Sequence, residues 1–107
     1  MENRVFLGNA FSLQMLDLSE KARVLVTPVT SDEVAHTDFM SVVGHTDTAA
    51  VLTDMLAVPV ACNRTNVRLQ VGDVLYVAQV TGGRLPEGAT RLPEGFSLTF
   101  LKVELAE

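Results

Sequence analysis

The chain has 107 residues, 48% of them hydrophobic, with a formal net charge of −5 and one cysteine. That length suits one domain with a real core, so residues 1–107 read as a single domain. No apolar run approaches a membrane span, Cys62 by itself excludes an internal disulfide, and the acidic balance argues against a long nucleic acid, whose binding rests on many Lys and Arg contacts to phosphate.

The opening MENRVFLGNAFS has no basic start followed by an apolar segment. With a single cysteine, this leads us to expect a cytoplasmic location. Asn63-Arg64-Thr65 fits a glycosylation pattern, which that location would make irrelevant. Residues 4–8 (RVFLG) read as a short opening strand. Ser12 then suits the N-cap of a one- or two-turn helix through Leu16 or Leu18. Residues 22–29 (ARVLVTPV) form a β-rich run in which Pro28 predicts an edge strand or a strand end. Residues 30–36 are polar and read as loop. Thr37 or Asp38 predicts a short helix over residues 39–43, stopped by Gly44.

A second helix is expected almost at once, capped by Thr46 or Asp47, with Val51, Leu52, Met55 and Leu56 on one apolar face and its end before Pro59. Val67, Leu69 and Val71 alternate with polar residues as a strand, Gly72-Asp73 turn the chain, and residues 74–80 (VLYVAQV) form the hairpin partner. Residues 96–105 close the chain as a long strand. Its apolar phase shifts between Phe100 and Leu101, which predicts a bulge or burial on both faces. The fold class expected is α+β: a small mixed sheet of about five strands with two or three short helices packed on one face.

Between the last two strands lies GGRLPEGATRLPEG, residues 82–95, in which Arg-Leu-Pro-Glu-Gly occurs at residues 84–88 and again at 91–95. Five residues are too few for a unit of a repeat protein. Proline and glycine in each copy predict two successive turns. An arginine and a carboxylate three residues apart on a rigid turn also offer chemistry: arginine to stabilise phosphate charge, glutamate to accept a proton or fix the arginine.

Charge is unevenly placed. Residues 32–54 hold Asp32, Glu33, Asp38, Asp47 and Asp54 with no Lys or Arg, whereas residues 64–91 hold Arg64, Arg68, Arg84 and Arg91 against Asp73 and Glu87. Surface arginines on strands account for this; so does a small anionic ligand, which suits the bidentate guanidinium. Gly44-His45-Thr46-Asp47-Thr48 places a histidine just before a helix N-terminus, where unpaired amides favour an anion and His45 can protonate a leaving oxygen. Plain capping of an interhelical turn explains the same residues. His36 sits in polar sequence and reads as exposed. Gln79 interrupts an apolar run and, in a central strand, requires a partner from protein or ligand. Two histidines and one cysteine show no metal-ligand spacing, so no metal and no cofactor is expected. Neither a phosphate-loop nor a dinucleotide-binding glycine pattern is present, and there is no nucleophile elbow.

Taken together, residues 7–12 (LGNAFS), Gly44-His45, Asn63-Arg64, residues 76–79 (YVAQ) and residues 84–88 (RLPEG) resemble, in this order and across residues 5–105, the viral anti-CRISPR ring nucleases and their CRISPR-associated relatives. Gly8 stands where some relatives have alanine. The resemblance implies a two-fold homodimer that encloses one cyclic tetra-adenylate and cleaves it without metal. A ribose 2′-hydroxyl attacks its adjacent phosphate, giving linear di-adenylates with 2′,3′-cyclic phosphate ends and switching off type III CRISPR signalling. By the same resemblance His45 is the general acid, Arg84 stabilises the phosphorus centre, and Glu87 orients Arg84 or assists the 2′-hydroxyl. Asn9, Ser12, Thr48, Arg64 and Gln79 fall on binding positions. A cyclic-nucleotide sponge or sensor that binds without cutting, and an interaction domain with no nucleotide, are the alternatives.

Overall fold

A computed structural model describes residues 4–106 of the chain. Its strands are β1 (Val5–Gly8), β2 (Arg23–Val29), β3 (Met40–Ser41), β4 (Val74–Thr81) and β5 (Ser97–Ala106), joined into one sheet of order β2-β5-β4-β1-β3. β1 runs parallel to both β3 and β4, while β5 runs antiparallel to β4 and β2. Two helices, α1 (Ser31–Ala35) and α2 (Thr46–Leu56), complete the mixed α+β fold. Among the described residues no helix is long and apolar enough to cross a membrane.

Strand periodicity divides the core between the two sheet faces. Leu7, Tyr76, Ala78 and Phe100 point to one face and pack with Val34 of α1 and with Ala49, Leu52 and Leu56 of α2. Phe6, Leu75, Val77 and Val103 point to the other, where Leu69, Phe11 and Met15 cover them. The same division explains the phase shift in β5. Its pairing with β4 runs without interruption from Thr81↔Ser97 to Val74↔Glu104, so there is no bulge. Leu98 and Phe100 face the helices, whereas Leu101, Val103 and Leu105 face the opposite layer. The strand is buried on both faces, in different halves.

Pro28 lies in β2 at the sheet edge, as its missing N–H requires. Ser12 caps a single 3₁₀ turn, Leu13–Met15, by accepting the Gln14 amide at 3.2 Å. Gly72-Asp73 also turn the chain as expected, and Asp73 fixes that turn: it accepts the Gln70 amide at 2.9 Å and pairs with Arg4 at 2.6 Å.

Four expectations need correction. Residues 31–35 are helix rather than loop, because the Thr30 hydroxyl caps the Glu33 amide and Val34 is fully buried. The helix expected over residues 39–43 is absent: Met40–Ser41 pairs with β1, and the Val42 amide donates to Leu7 O at 2.8 Å. Residues 67–71 form no strand and no hairpin. Instead Leu69 drops into the second face with its amide on Met15 O at 2.8 Å, while Val71 stays exposed. In α2 the N-cap is His45, and Met55 is exposed, so the apolar face is formed by Ala49, Val51, Leu52 and Leu56. α1 and α2 cover one sheet face; the 3₁₀ turn and the segment around Leu69 cover the other.

Candidate functional site

Because β1, β3 and β4 are parallel, their C-terminal ends lie together, and α2 begins just beyond that edge. Crevices at the carboxyl ends of parallel strands are where open mixed sheets gather ligand-binding loops. Here the edge carries a cleft of about 340 Å³. Each element delivers a different group to it. Asn9 follows β1, His45 and Thr48 open α2, Gln79 lies near the end of β4, and Arg84 comes from the loop between β4 and β5.

Local structure explains why these side chains reach the cleft. Asn9 Oδ1 accepts the Gly44 amide at 3.1 Å, which fixes the turn before α2. His45 has extended backbone (φ −129°, ψ 130°), and its carbonyl accepts the Ala49 amide at 3.0 Å. Its ring makes no capping hydrogen bond, so it is left for another partner. The three preceding amides of the helix, at Thr46, Asp47 and Thr48, lack intrahelical acceptors by geometry and form a positive end. Thr48 is buried in this turn.

Gln79 is exposed rather than buried, which removes the need for a protein partner. β1 pairs with β4 only as far as Gly8↔Val77, so β4 overhangs its neighbour and Gln79 stands free of the core.

The repeated pentapeptide forms two turns of one kind. Ala89 N donates to Pro86 O at 3.1 Å and Phe96 N to Pro93 O at 3.1 Å. Gly88 (φ 80°) and Gly95 (φ 86°) take the third position of each, the left-handed conformation glycine tolerates. Arg84 precedes the leading turn and lines the cleft; Arg91 and Glu94 do not. Glu87 is exposed and does not line it, and no ion pair joins it to Arg84 among the described residues.

Ser12 and Arg64 lie elsewhere, on a groove of about 1020 Å³ between the 3₁₀ turn and residues 64–68. The two sites are still close. A methyl group placed on Gly44 would stand 3.5 Å from Cγ of Arg64, so the arginine stem passes the residue next to His45. Asn63 anchors this segment, donating from its amide to Val43 O at 2.7 Å and from Nδ2 to Ser41 O at 2.8 Å. His36 is exposed, with Nδ1 donating to Asp32 O at 2.8 Å, and takes no part in the cleft. Among the described residues no three His, Cys, Asp or Glu side chains gather into a metal-binding cluster.

One cleft residue was legible only as a cap. Asp47 lines the cleft, and its Oδ1 accepts the Gly88 amide at 3.0 Å across 41 positions of sequence. No sequence pattern signals a bond to a loop backbone. The arrangement as a whole suits an anion: a helix N-terminus, an imidazole, a guanidinium and two carboxamides converge on one crevice.

A family model for STIV B116-like proteins matches residues 5–99. Among solved structures, the chain is similar to B116 of Sulfolobus turreted icosahedral virus, with a TM-score of 0.73 and 20% identity over 95% of this chain and 99% of that one. At that identity the likeness speaks for the fold. No curated protein is similar enough in sequence to count as a match.

Proposed function

This chain belongs to the STIV B116-like family, and from that premise we propose that it is a metal-independent ring nuclease that cleaves cyclic tetra-adenylate to linear di-adenylates. The observation that carries the proposal is the convergence of His45 and Arg84 with Asn9, Thr48 and Gln79 on one cleft, from four separate elements. The resemblance of residues 7–12, 44–45, 63–64, 76–79 and 84–88 to the anti-CRISPR ring nucleases supplies the substrate.

In this reading a ribose 2′-oxygen forms a bond to its adjacent phosphorus while the bond to the 5′-oxygen breaks. The 2′-hydroxyl proton leaves to solvent or to Glu87, and His45 returns a proton to the departing 5′-oxygen. Arg84 and the amides of α2 meet the charge on the non-bridging oxygens. Holding the 2′-oxygen in line is the remaining requirement, and turn-borne side chains supply positioning without a metal.

A cleft of about 340 Å³ is at the small end for ligand pockets. A four-nucleotide ring therefore calls for a second copy of the chain, and a two-fold homodimer would also double the scarce positive charge offered to a polyanion. The proposed setting is the cytoplasm of a prokaryotic cell, where the reaction would switch off type III CRISPR signalling.

The test is incubation of purified protein with cyclic tetra-adenylate in excess chelator. Di-adenylates ending in 2′,3′-cyclic phosphate are expected. An intact ring, or a requirement for magnesium, overturns the mechanism. A binding-only sponge draws support from the position of Glu87 outside the cleft; stoichiometric capture, with intact ring recovered after denaturation, would decide for it. Absence of any thermal shift with cyclic oligoadenylates of several sizes would instead point to an interaction domain with no nucleotide.

A further inference from the structure

We propose that Asp47 is a positioning residue: its carboxylate latches the Arg84-bearing turn to the first turn of α2 and so sets Arg84 relative to His45. Its catalytic consequence rests on the ring nuclease reading; the latch itself does not.

The two turns of the loop are held in different ways. The trailing turn sits at the neck of the β4–β5 hairpin. A methyl group on Gly82 would come within 2.8 Å of Gly95 O, and the Thr81 and Ser97 hydroxyls bond to each other across the strands. The neck thus fixes Gly95 through close backbone packing. The leading turn lies farther out, and most of residues 82–91 are exposed. Among the described residues, its one hydrogen bond to anything outside the loop is Gly88 N–H to Asp47 Oδ1 at 3.0 Å.

Asp47 suits the task. It occupies the second position of α2, where the helix N-terminus offsets its charge. It is two residues from His45, so the helix carrying the proposed acid also grips the turn carrying the proposed arginine. A carboxylate beside an anion site costs affinity by repulsion. Donation from Gly88 and the positive end of the helix offset part of that charge. The glycine is needed because the bonded turn has φ of 80° there, a conformation other residues resist.

Among the described residues the trailing turn has no such latch, although its pentapeptide is identical. What distinguishes the copies is therefore their distance from Asp47 rather than their sequence.

Limited trypsin digestion of the whole protein reads the latch without any nucleotide, because Arg84–Leu85 and Arg91–Leu92 are both trypsin sites. Asp47→Ala should speed cleavage at Arg84–Leu85 by about fivefold, the population change expected on losing one hydrogen bond. Asp47→Asn keeps an acceptor oxygen and should stay within about twofold of wild type. If Asp47→Ala digests like wild type, or Asp47→Asn digests like Asp47→Ala, the latch is wrong and Asp47 acts only through its charge on the helix. In the ring-cleavage assay, Asp47→Ala should lower kcat, with rescue by Asp47→Asn and no added loss in an Arg84→Ala background. A loss that adds fully to Arg84→Ala overturns the positioning role. If wild-type protein leaves the ring intact while Asp47→Ala still opens the loop, the ring nuclease reading falls and the latch stands.

Discussion

The Asn9 carboxamide oxygen accepts the Gly44 amide at 3.1 Å, tying the end of β1 to the turn that launches α2 across 35 positions of sequence. Asn9 lines the cleft and Gly44 directly precedes His45, so Asn9 works as a strut as well as a wall of the site. Asn9→Ala leaves the Gly44 N–H without its partner, and a loss of about 1 kcal/mol in unfolding free energy is expected. Ligand affinity should fall further than stability does, because His45 follows Gly44 directly. Denaturant titration and nucleotide binding on one preparation check both. Unchanged affinity in a destabilised variant would leave Asn9 a strut alone.

His45 and Arg84 make separable predictions. His45→Ala should retain ring binding and lose roughly 10²–10⁴-fold in kcat, as for a removed general acid. Its stability should hold, since the ring makes no capping bond in the fold.

Arg84→Ala should lower kcat by about 10²-fold or more through lost charge stabilisation. Arg91→Ala, an exposed change outside the cleft, should stay within about twofold. Single-turnover kinetics on the pair decides. Equal effects would make the loop a binding surface rather than the support of one active arginine.

Asp73 predicts an acid-labile fold. Burial alone would raise its carboxyl, but hydrogen bonds from the Arg4 guanidinium, the Gln70 amide and the Arg4 amide, with the Arg4 charge, outweigh that and hold it below its ordinary 3.8. A carboxyl lowered by folding adds stability that is fully present above its unfolded value. That stability is lost as pH falls through the folded value. Unfolding free energy should therefore drop below about pH 4. Asp73→Asn should cost about 2 kcal/mol at neutral pH and flatten that acid limb. Thermal melts across pH check it; parallel curves for the two proteins would remove Asp73 from the acid transition.

Tyr76 predicts the opposite limb. Burial raises its phenol above 10.0, and the hydrogen bond to Glu33 Oε2 at 2.8 Å raises it further. Stability from this group is present below the unfolded value and lost as pH rises through the folded one. Tyr76 is the one tyrosine in a chain without tryptophan, so phenolate absorbance reads it directly. The midpoint should lie above 10.0 in folded protein and fall partway back in Glu33→Gln. A titration identical in native and denatured protein would contradict it.

Legibility followed the strength of local pattern. β1, β2, β4, β5 and α2 all carry enough period-two or helical repetition to be read directly. α1 escaped because five residues are too few for periodicity, and only the Thr30 cap and the burial of Val34 commit them. β3 escaped because two residues have no pattern of their own; pairing with Phe6 and Leu7 creates the strand. Val67, Leu69 and Val71 misled for the converse reason. Their alternation is genuine, yet Leu69 alone is buried, and its amide donates to Met15 O outside any ladder.

What sequence settled was part of the local vocabulary: that β1, β2, β4 and β5 extend, that α2 forms and ends before Pro59, and that both pentapeptides turn. These follow from side-chain periodicity, caps and the angles that proline and glycine permit, all of which act within a few residues. Tertiary structure alone decided that His45, Arg84, Asn9, Thr48 and Gln79 share a cleft, that Ser12 and Arg64 border another groove, and that Gly88 meets Asp47. Parallel pairing of β1 with β3 and β4 gathers three strand ends at one edge, and that pairing joins segments whose only link is the core they bury together. Two identical pentapeptides thus acquire different surroundings, because position in the sheet rather than local sequence decides which one reaches α2.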